Sequence, residues 1–474
     1  MVSFWLACLT CLGAALRLWH LGGKSLWLDE GATVALARMP WRHFLWVWWS
    51  GEANLQTVYF LLMRAWARAG TGEAWMRLPS AFFGIASIPV LYFLARKFMN
   101  GGPALAAAAL LAFSPAHVYY SQEARSYSLT ILLVLLSSYF FVCAVEEGRS
   151  RDWLLWTLLS LIAVYTHYFA ALVLVAQAAS LLFMRKQAPW RSVILGGAVI
   201  FVMAIPGLTY VFRASPENLR SIWMPRPTPK EFLHLAMFFG GSGSKMGLAL
   251  VLWVAGLISI LQRRHRNDSA GSFWSGMLIL LWIAVPVGML AVASLGQPMF
   301  LQRYLIFSLP AAVLLAATGM DVLRKWKVGP LLVILLCVMS LPAIVKGYTK
   351  PREDWRGASR MLLNSAAPGD AVVFFPSYTR IMLRYYSDRY PGVVPDLHVF
   401  ARPFYGNGEE ARDLLKVLEK DPHRFRHVWI LMADHGSKFE NFDYGAEVEK
   451  ALQAIYGAPS ARKFADIDVL EYGQ

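Results

Sequence analysis

Six ionisable residues sit in short polar segments between strongly apolar ones: Asp29 and Glu30 in SLWLDEGA, Glu123 and Arg125 in SQEARSYS, His167 in YTHYF and Arg303 in QRYLIF. Two adjacent carboxylates can supply a general base or a metal ligand. Guanidinium groups match the forked geometry of a phosphate, and a histidine at a turn can carry a proton or bind a metal. Each residue also has an ordinary role. Asp29 would N-cap a helix running towards Met39, with Glu30 favoured by the helix dipole, and Glu123 would be a first-turn acid in the same sense. Arg125 would snorkel to an interface, Arg303-Tyr304 would anchor there, and a lone histidine is commonly structural. Deciding between the two sets requires knowing whether these residues share a place.

The elements that must position them are membrane helices. Of the 474 residues, 57% are hydrophobic and only 16% charged, and the mean hydropathy is +0.44, too apolar for a soluble domain. Apolar runs fall near 3–20, 78–98, 104–120, 127–145, 153–184, 192–212, 246–262, 273–294, 302–320 and 329–346. Most approach the roughly 20 residues that cross about 30 Å of hydrocarbon. The run 153–184 is too long for one span and is interrupted by Thr166-His167-Tyr168, so it reads as two short helices that turn at His167. The fold class is therefore mainly α, a polytopic membrane protein of about eleven transmembrane helices. The 19 Trp, 19 Tyr and 28 Phe suit interfacial aromatic belts. The first run lacks a basic leader and a small-residue cleavage site, and reads as a retained helix.

Charge supports the split at His167. With it, one side receives Arg96, Lys97, Arg149, Arg151, Arg185, Lys186, Arg191, Arg263, Arg264, Arg266, Arg324, Lys325 and Lys327, while the short opposite loops hold only Arg125 and Arg303. Without it, every loop from 185 onward changes sides and the bias collapses. The positive-inside rule then puts the N-terminus in the cytoplasm, in a multi-pass inner-membrane protein. The loop 21–77, the turns near 121–127 and 166–168, the segment 213–245 and the tail lie outside. Since most of the basic residues behind the net charge of +15 sit in short loops between apolar runs, where they set orientation, nucleic acid is not expected as a partner. The six residues now coincide at one face, and ionisable groups clustered beside hydrocarbon point to function.

Loop 21–77 carries Trp41, Phe44, Leu45, Trp48 and Trp49 at helical spacing behind Pro40, which predicts a helix lying in the headgroup layer, with a second over 55–69. The tail changes composition and predicts a small extracytoplasmic α/β domain over 349–474, after a transmembrane domain over 1–348. Its strands are expected at AVVFFP (371–376), HVWILMA (427–433) and FADIDVLEY (464–472), and its helices at 353–366 and 408–420. Three motifs carry no chemistry. GGSGSK (240–245) fails the P-loop pattern, Asp466-x-Asp468 sits on an expected terminal strand, and Cys8-x-x-Cys11 lies within the first span.

Taken together, SLWLDEGATVALA, RLPSAFFG (77–84), SPAHVYYSQEARSYSL (114–129), YTHYFAALV (165–173) and QRYLIFSLP (302–310) resemble the GT-C superfamily of membrane glycosyltransferases. Within it they are similar to bacterial family 39 enzymes, which include protein O-mannosyltransferase and lipid A aminoarabinose transferase relatives. The likeness covers the first 190 residues best. It implies a polyprenyl-phosphate sugar donor, an acceptor outside the cytoplasm and inversion at the anomeric carbon. Position by position, it implies Asp29 as catalytic base with Glu30 as its neighbour, Glu123 and Arg125 as a second loop motif, and His167 as a third. Some relatives bind a divalent metal and others act without one. The segment EANLQTVYF (52–60) lacks the His-Pro-Pro-like element that relatives carry before a Tyr-rich stretch.

The resulting expectation is an inverting glycosyltransferase in the lipid bilayer that moves a hexosyl or pentosyl group from a polyprenyl-phosphate donor to a glycan, lipid or protein acceptor. Asp29 and Glu30 are assigned to catalysis, and Arg303, Arg125 and Tyr304 to the donor phosphate. Glu123, His167, Tyr168 and Tyr59 are assigned to substrate contact. A divalent metal at Glu123 and His167 stays open, and no nucleotide cofactor is needed. The alternatives are a polysaccharide polymerase or ligase using a lipid-pyrophosphate donor, and a transporter. The spans hold few charges at the midplane, which argues against transport.

Overall fold

A computed structural model describes residues 2–50, 56–184, 188–213, 224–263, 270–324, 327–400, 409–433 and 444–473. The basic loop residues Arg185, Lys186, Arg264, Arg266 and Lys325 lie outside the described residues. The chain forms two units. The first comprises Met1–Leu21, Pro40–Gly70 and Ala74–Gly347, and the second Gly22–Met39, Thr71–Glu73 and Tyr348–Gln474.

In the first unit every apolar run falls on a helix. Among the described residues seven helices have the length and hydropathy of a membrane span: Glu73–Phe98, Tyr127–Glu147, Trp190–Gly207, Ser244–Arg263, Phe273–Gly296, Gln302–Leu323 and Val328–Thr349. The pair Gly101–Ala112 and Pro115–Ser121, bent by 56°, makes an eighth by the same measure. Three shorter helical segments, Val2–Leu18, Ser150–Thr166 and Tyr168–Phe183, occupy the remaining runs. Burial separates their roles. Gln302–Leu323 is 89% buried and Tyr127–Glu147 72%, whereas Trp190–Gly207 and Ser244–Arg263 are only 22% buried and turn Leu, Ile, Val and Phe outward.

The turn at His167 is real, and a polar ladder shows why its two arms pack antiparallel. Trp156 Nε1 donates to Gln177 Oε1 at 2.8 Å across the turn. Gln177 Nε2 then reaches Ser138 Oγ at 3.1 Å, and Ser137 and Ser160 hydroxyls meet at 2.7 Å. Buried polar groups between apolar helices need such partners, and they fix helix register. At the other end of these helices Lys97 pairs with Glu146 and Glu147 at 3.1 Å, and Arg149 with Asp152 at 2.7 Å.

The bend in the third span has an identifiable cause. Pro115 has no N–H to continue the helix Gly101–Ala112, which frees its last carbonyls inside an apolar environment. Arg17, fully buried in the first helix, reaches two of them: its guanidinium donates to Ala112 O at 3.0 Å and Leu111 O at 3.1 Å, and also to Gly13 O of its own helix at 2.9 Å. It also meets His117 Nδ1 at 2.6 Å, which requires that nitrogen to be the acceptor. Arg17→Met should therefore destabilise the protein by about 3 kcal/mol or more, since several buried acceptors lose their donor at once. Thermal denaturation in detergent checks this, and a variant melting with the wild type would remove Arg17 from that role.

The helix Trp41–Ser50 exposes Trp41, Leu45, Trp46 and Trp49 while Phe44 and Val47 face inward. The expected seam thus divides: Phe44 packs inside and Trp46 joins the exposed face. Arg64, on the helix Thr57–Trp66, covers the Trp41 and Phe44 rings at 4.4 and 4.7 Å. The GGSGSK segment is a turn between helices, with Gly241 and Gly243 at positive φ and no strand before it.

The second unit holds a five-stranded sheet in the order β2-β1-β3-β5-β4, from β1 (Ala371–Phe375), β2 (His398–Phe400), β3 (His427–Ala433), β4 (Ser460–Phe464) and β5 (Ile467–Gly473). The strands β2, β1 and β3 run parallel, and β5 and β4 add antiparallel. The apolar runs AVVFF and HVWILMA are the two central strands, nearly wholly buried, as parallel strands covered on both faces must be. The sequence 464–472 is not one strand. Phe464 pairs with Ile467 across a two-residue turn at Ala465 and Asp466, where Asp466 takes the left-handed conformation such a hairpin needs. Helices Trp355–Ser365 and Glu409–Lys420 match expectation, while Arg380–Ser387, Gly445–Tyr456, β2 and β4 carried too little periodicity to be read in advance.

Residues 22–39, placed by sequence with the membrane domain, belong to this second unit, and hydrogen bonds explain it. Arg356 donates to Gly23 O and Gly22 O at 3.2 and 3.0 Å and pairs with Glu73 at 2.7 Å. Tyr386 Oη accepts from Leu26 N–H at 2.9 Å and donates to Glu73 Oε1 at 2.8 Å.

Candidate active site

In the first unit the site is built on the turn between the helices Pro115–Ser121 and Tyr127–Glu147. Gln122, Glu123, Ala124, Arg125 and Ser126 are all buried there. Their backbone is pinned from three sides. Arg125 N–H donates to Glu123 O at 2.7 Å, and Ser80 Oγ donates to Arg125 O at 3.1 Å. Gln122 Nε2 donates to Arg17 O and Trp19 O at 3.1 and 2.7 Å, tying the turn to the end of the first helix. Tyr59 is fully enclosed, its hydroxyl 3.1 Å from Ser80 Oγ. It stands behind Ser80 and supports the Arg125 backbone.

His167 ends the helix Ser150–Thr166 in extended backbone, and its N–H still reaches Ala163 O at 2.8 Å. The ring is thereby set among aromatics, with centroids 6.1 Å from Tyr127, 5.8 Å from Tyr304 and 6.3 Å from Phe307. The 3-10 segment Gln302–Ser308 delivers both Tyr304 and Arg303, whose guanidinium carbon lies 5.7 Å from the Tyr304 ring centre. Burial first, and then the cations of Arg125 and Arg303, push the His167 imidazole down to about 4. It is therefore neutral at physiological pH, and its buried Nδ1 has no hydrogen-bond partner among the described residues.

The first unit thus brings Arg125, His167, Arg303 and Tyr304 into one neighbourhood from segments far apart in sequence. Two guanidinium groups and an imidazole within an aromatic wall, with the buried Glu123 carboxylate in the same turn as Arg125, offer hydrogen-bond donors of the kind a phosphate uses. Tyr168 turns elsewhere. Its ring packs with the cluster of Val164, Ile200 and Ala204, and a Cβ at Gly207 would lie 2.2 Å from its hydroxyl. Among the described residues no three His, Cys, Asp or Glu converge, and the arginine charges acting on His167 oppose a second cation.

Asp29 and Glu30 belong to the second unit, in the first turn of the helix Leu28–Arg38. Asp29 is not the N-cap; Trp27 holds that position. Glu30 is fully buried and its Oε2 accepts from Trp27 N–H at 3.3 Å, which is the reciprocal half of a capping box. Asp29, half-buried, projects from the same turn. Glu353 lies against it: Glu353 Oε2 accepts from Leu28 N–H at 2.9 Å and from Trp355 Nε1 at 2.6 Å. Sequence reasoning missed Glu353, since nothing in PREDWRG marks it as different from any acid before a helix. It also missed Arg17, whose one signal was a cation inside an otherwise uncharged span.

This arrangement of apolar helices, a buried loop cluster of charges and a small terminal sheet has the GT-C fold. Over the whole chain it is similar to ArnT from Cupriavidus metallidurans, with TM-score 0.63 and 14% identity for the form bound to undecaprenyl phosphate, covering 100% of this chain and 98% of that one. The apo form of ArnT gives 0.64 at 14% identity, covering 99% and 98%. The oligosaccharyltransferase of Archaeoglobus fulgidus, in complex with Zn and sulfate, gives 0.56 at 13% identity, covering 90% of this chain and 67% of that one. Residues 56–210 match the family described as dolichyl-phosphate-mannose-protein mannosyltransferase. Residues 56–210 thus match a mannosyltransferase family, and the whole chain shares the fold of ArnT. No curated protein matches its sequence significantly.

Proposed function

We propose that this protein is an inverting glycosyltransferase that takes a sugar from a polyprenyl-phosphate donor and passes it to an acceptor hydroxyl or phosphate at the outer face of the cytoplasmic membrane. The observation that carries the proposal is the cationic cluster of Arg125 and Arg303 around a neutral His167. It is a site for a phosphate beside hydrocarbon, which is the chemistry of a lipid-linked donor. The undecaprenyl phosphate bound by ArnT supports that choice of ligand. The outer face rests on the excess of Lys and Arg in the opposite loops.

In the reaction, the acceptor oxygen attacks the anomeric carbon from the side opposite the phosphate. Its proton passes to a general base as the new C–O bond forms, the role that the sequence resemblance gives to Asp29. The bond from the anomeric carbon to the phosphate oxygen breaks, and its electron pair leaves with polyprenyl phosphate. Arg303 and Arg125 stabilise the charge gathering there, and Tyr304 walls the site. No nucleotide takes part, because the lipid phosphate is itself the leaving group.

The test supplies reconstituted protein with labelled polyprenyl-phosphate sugars and follows the label onto acceptors. Transfer from the monophosphate donor is the expected result. Label that moves only from a pyrophosphate-linked oligosaccharide would replace this reading with a polymerase or ligase, a second reading that the likeness to an oligosaccharyltransferase keeps in view. Substrate crossing the bilayer without bond formation would replace both with transport. Because Glu123 and His167 make a poor cation site, turnover is expected to survive exhaustive chelation, and loss that added metal restores would overturn that expectation.

A further inference from the structure

Glu353 stands among the least exposed acids of the second unit, 9% exposed, and the roles assigned so far leave it unused. Its Oε2 accepts two hydrogen bonds, from Leu28 N–H and from the Trp355 indole. Leu28 begins the helix Leu28–Arg38, and Asp29 is the next residue. A helix start has unsatisfied N–H groups, and a carboxylate that takes one of them fixes the entry of the chain. Here that carboxylate arrives from a segment 325 residues away. The neighbouring Arg352 guanidinium lies 3.8 Å from the centre of the Trp27 ring, clamping the residue on the other side of Leu28.

We propose that Glu353 is the positioning residue of the catalytic base: it fixes the turn that carries Asp29. The inference rests on Asp29 acting as the base. Glu353 does not touch the reacting atoms; it acts through Leu28. The groups that face it are Leu28 N–H and Asp29 from the helix Leu28–Arg38, the indole from the helix Trp355–Ser365, and Arg352 from its own segment. Burial raises the Glu353 carboxyl above the ordinary carboxylate range and the Asp29 charge adds to it, while the indole, the Leu28 N–H and Arg352 pull the other way.

Two substitutions separate positioning from charge. Glu353→Gln keeps an oxygen able to accept both hydrogen bonds and removes the charge. With the acceptor kept, kcat and the donor KM should stay within a few fold of the wild type. Glu353→Ala removes the acceptor as well, and kcat should fall about 10²-fold with little change in the donor KM, because the base is misplaced and not lost. A Glu353→Gln protein that loses as much kcat as Glu353→Ala, or wild-type kcat in Glu353→Ala, overturns the proposal. The Gln variant keeps the test decisive if the Ala variant does not fold. Asp29→Asn, assayed alongside, tells the two failures apart. Turnover retained there sinks the base itself, whereas an inactive Asp29→Asn with wild-type kcat in Glu353→Ala sinks this inference alone.

Discussion

Asp29→Asn is expected to lower turnover by about 10²–10⁴-fold, the range that a missing general base costs, while the protein folds as before. In free energy that loss is about 2.7–5.5 kcal/mol of transition-state stabilisation. The structural cost is much smaller. Asp29 is half-buried in the first turn of its helix, and Asn keeps the shape while giving up the favourable charge–dipole term, about 0.3–1 kcal/mol. The contact that Asp29 makes through its backbone, accepting from Thr33 Oγ1 at 3.0 Å, is untouched by the substitution. Single-turnover rates with a labelled donor should therefore collapse while the denaturation temperature barely moves. Glu30→Gln should invert that pattern. Its carboxylate is already engaged by Trp27 N–H inside the protein, so its loss should weaken the helix start more than the chemistry. A folded Asp29→Asn protein turning over at the wild-type rate would end the assignment of Asp29 as base.

The difference between these two adjacent acids shows where sequence stops being informative. LDEGA announces a pair of carboxylates at a helix start, but which one caps and which one projects depends on whether Trp27 or Asp29 occupies the N-cap, and both patterns are locally acceptable. The spans were legible because their apolar runs are long and their loop charges are asymmetric, signals that accumulate over many residues. The turn at His167 was legible because the alternative reversed the charge bias of every later loop. Arg17 and Glu353 were not legible, for the same physical reason: each satisfies backbone groups on a distant segment, Arg17 at residues 111 and 112 and Glu353 at residue 28. Such pairings leave no local pattern. Tyr59 was recognised as near the site but its role was not, since only the packing shows Ser80 standing between it and Arg125.

The second large effect is expected at Arg303. A donor phosphodiester carries one negative charge, and the departing polyprenyl phosphate gathers a second as the bond to the sugar breaks. A guanidinium beside that phosphate is therefore worth more in the transition state than in the bound donor, and only such a difference raises kcat. Arg303→Ala should cost about 10²–10³-fold in kcat, the scale found when one preorganised charge-stabilising donor is removed, with a smaller change in the donor KM. Arg303→Lys should fall between, because it restores the charge without the planar fork. A second, independent readout comes from His167. Burial holds its imidazole low, with Arg125 and Arg303 adding to the effect, so removing the Arg303 cation should let its pKa climb part of the way from about 4 towards the ordinary histidine value. The variant would then show inhibition at mildly acidic pH that the wild type lacks, as protonated His167 appears within the assay range. Equal losses in kcat for Arg303→Lys and Arg303→Ala, with no acid inhibition in the Ala variant, would mean that Arg303 anchors the helix start and does not hold a phosphate.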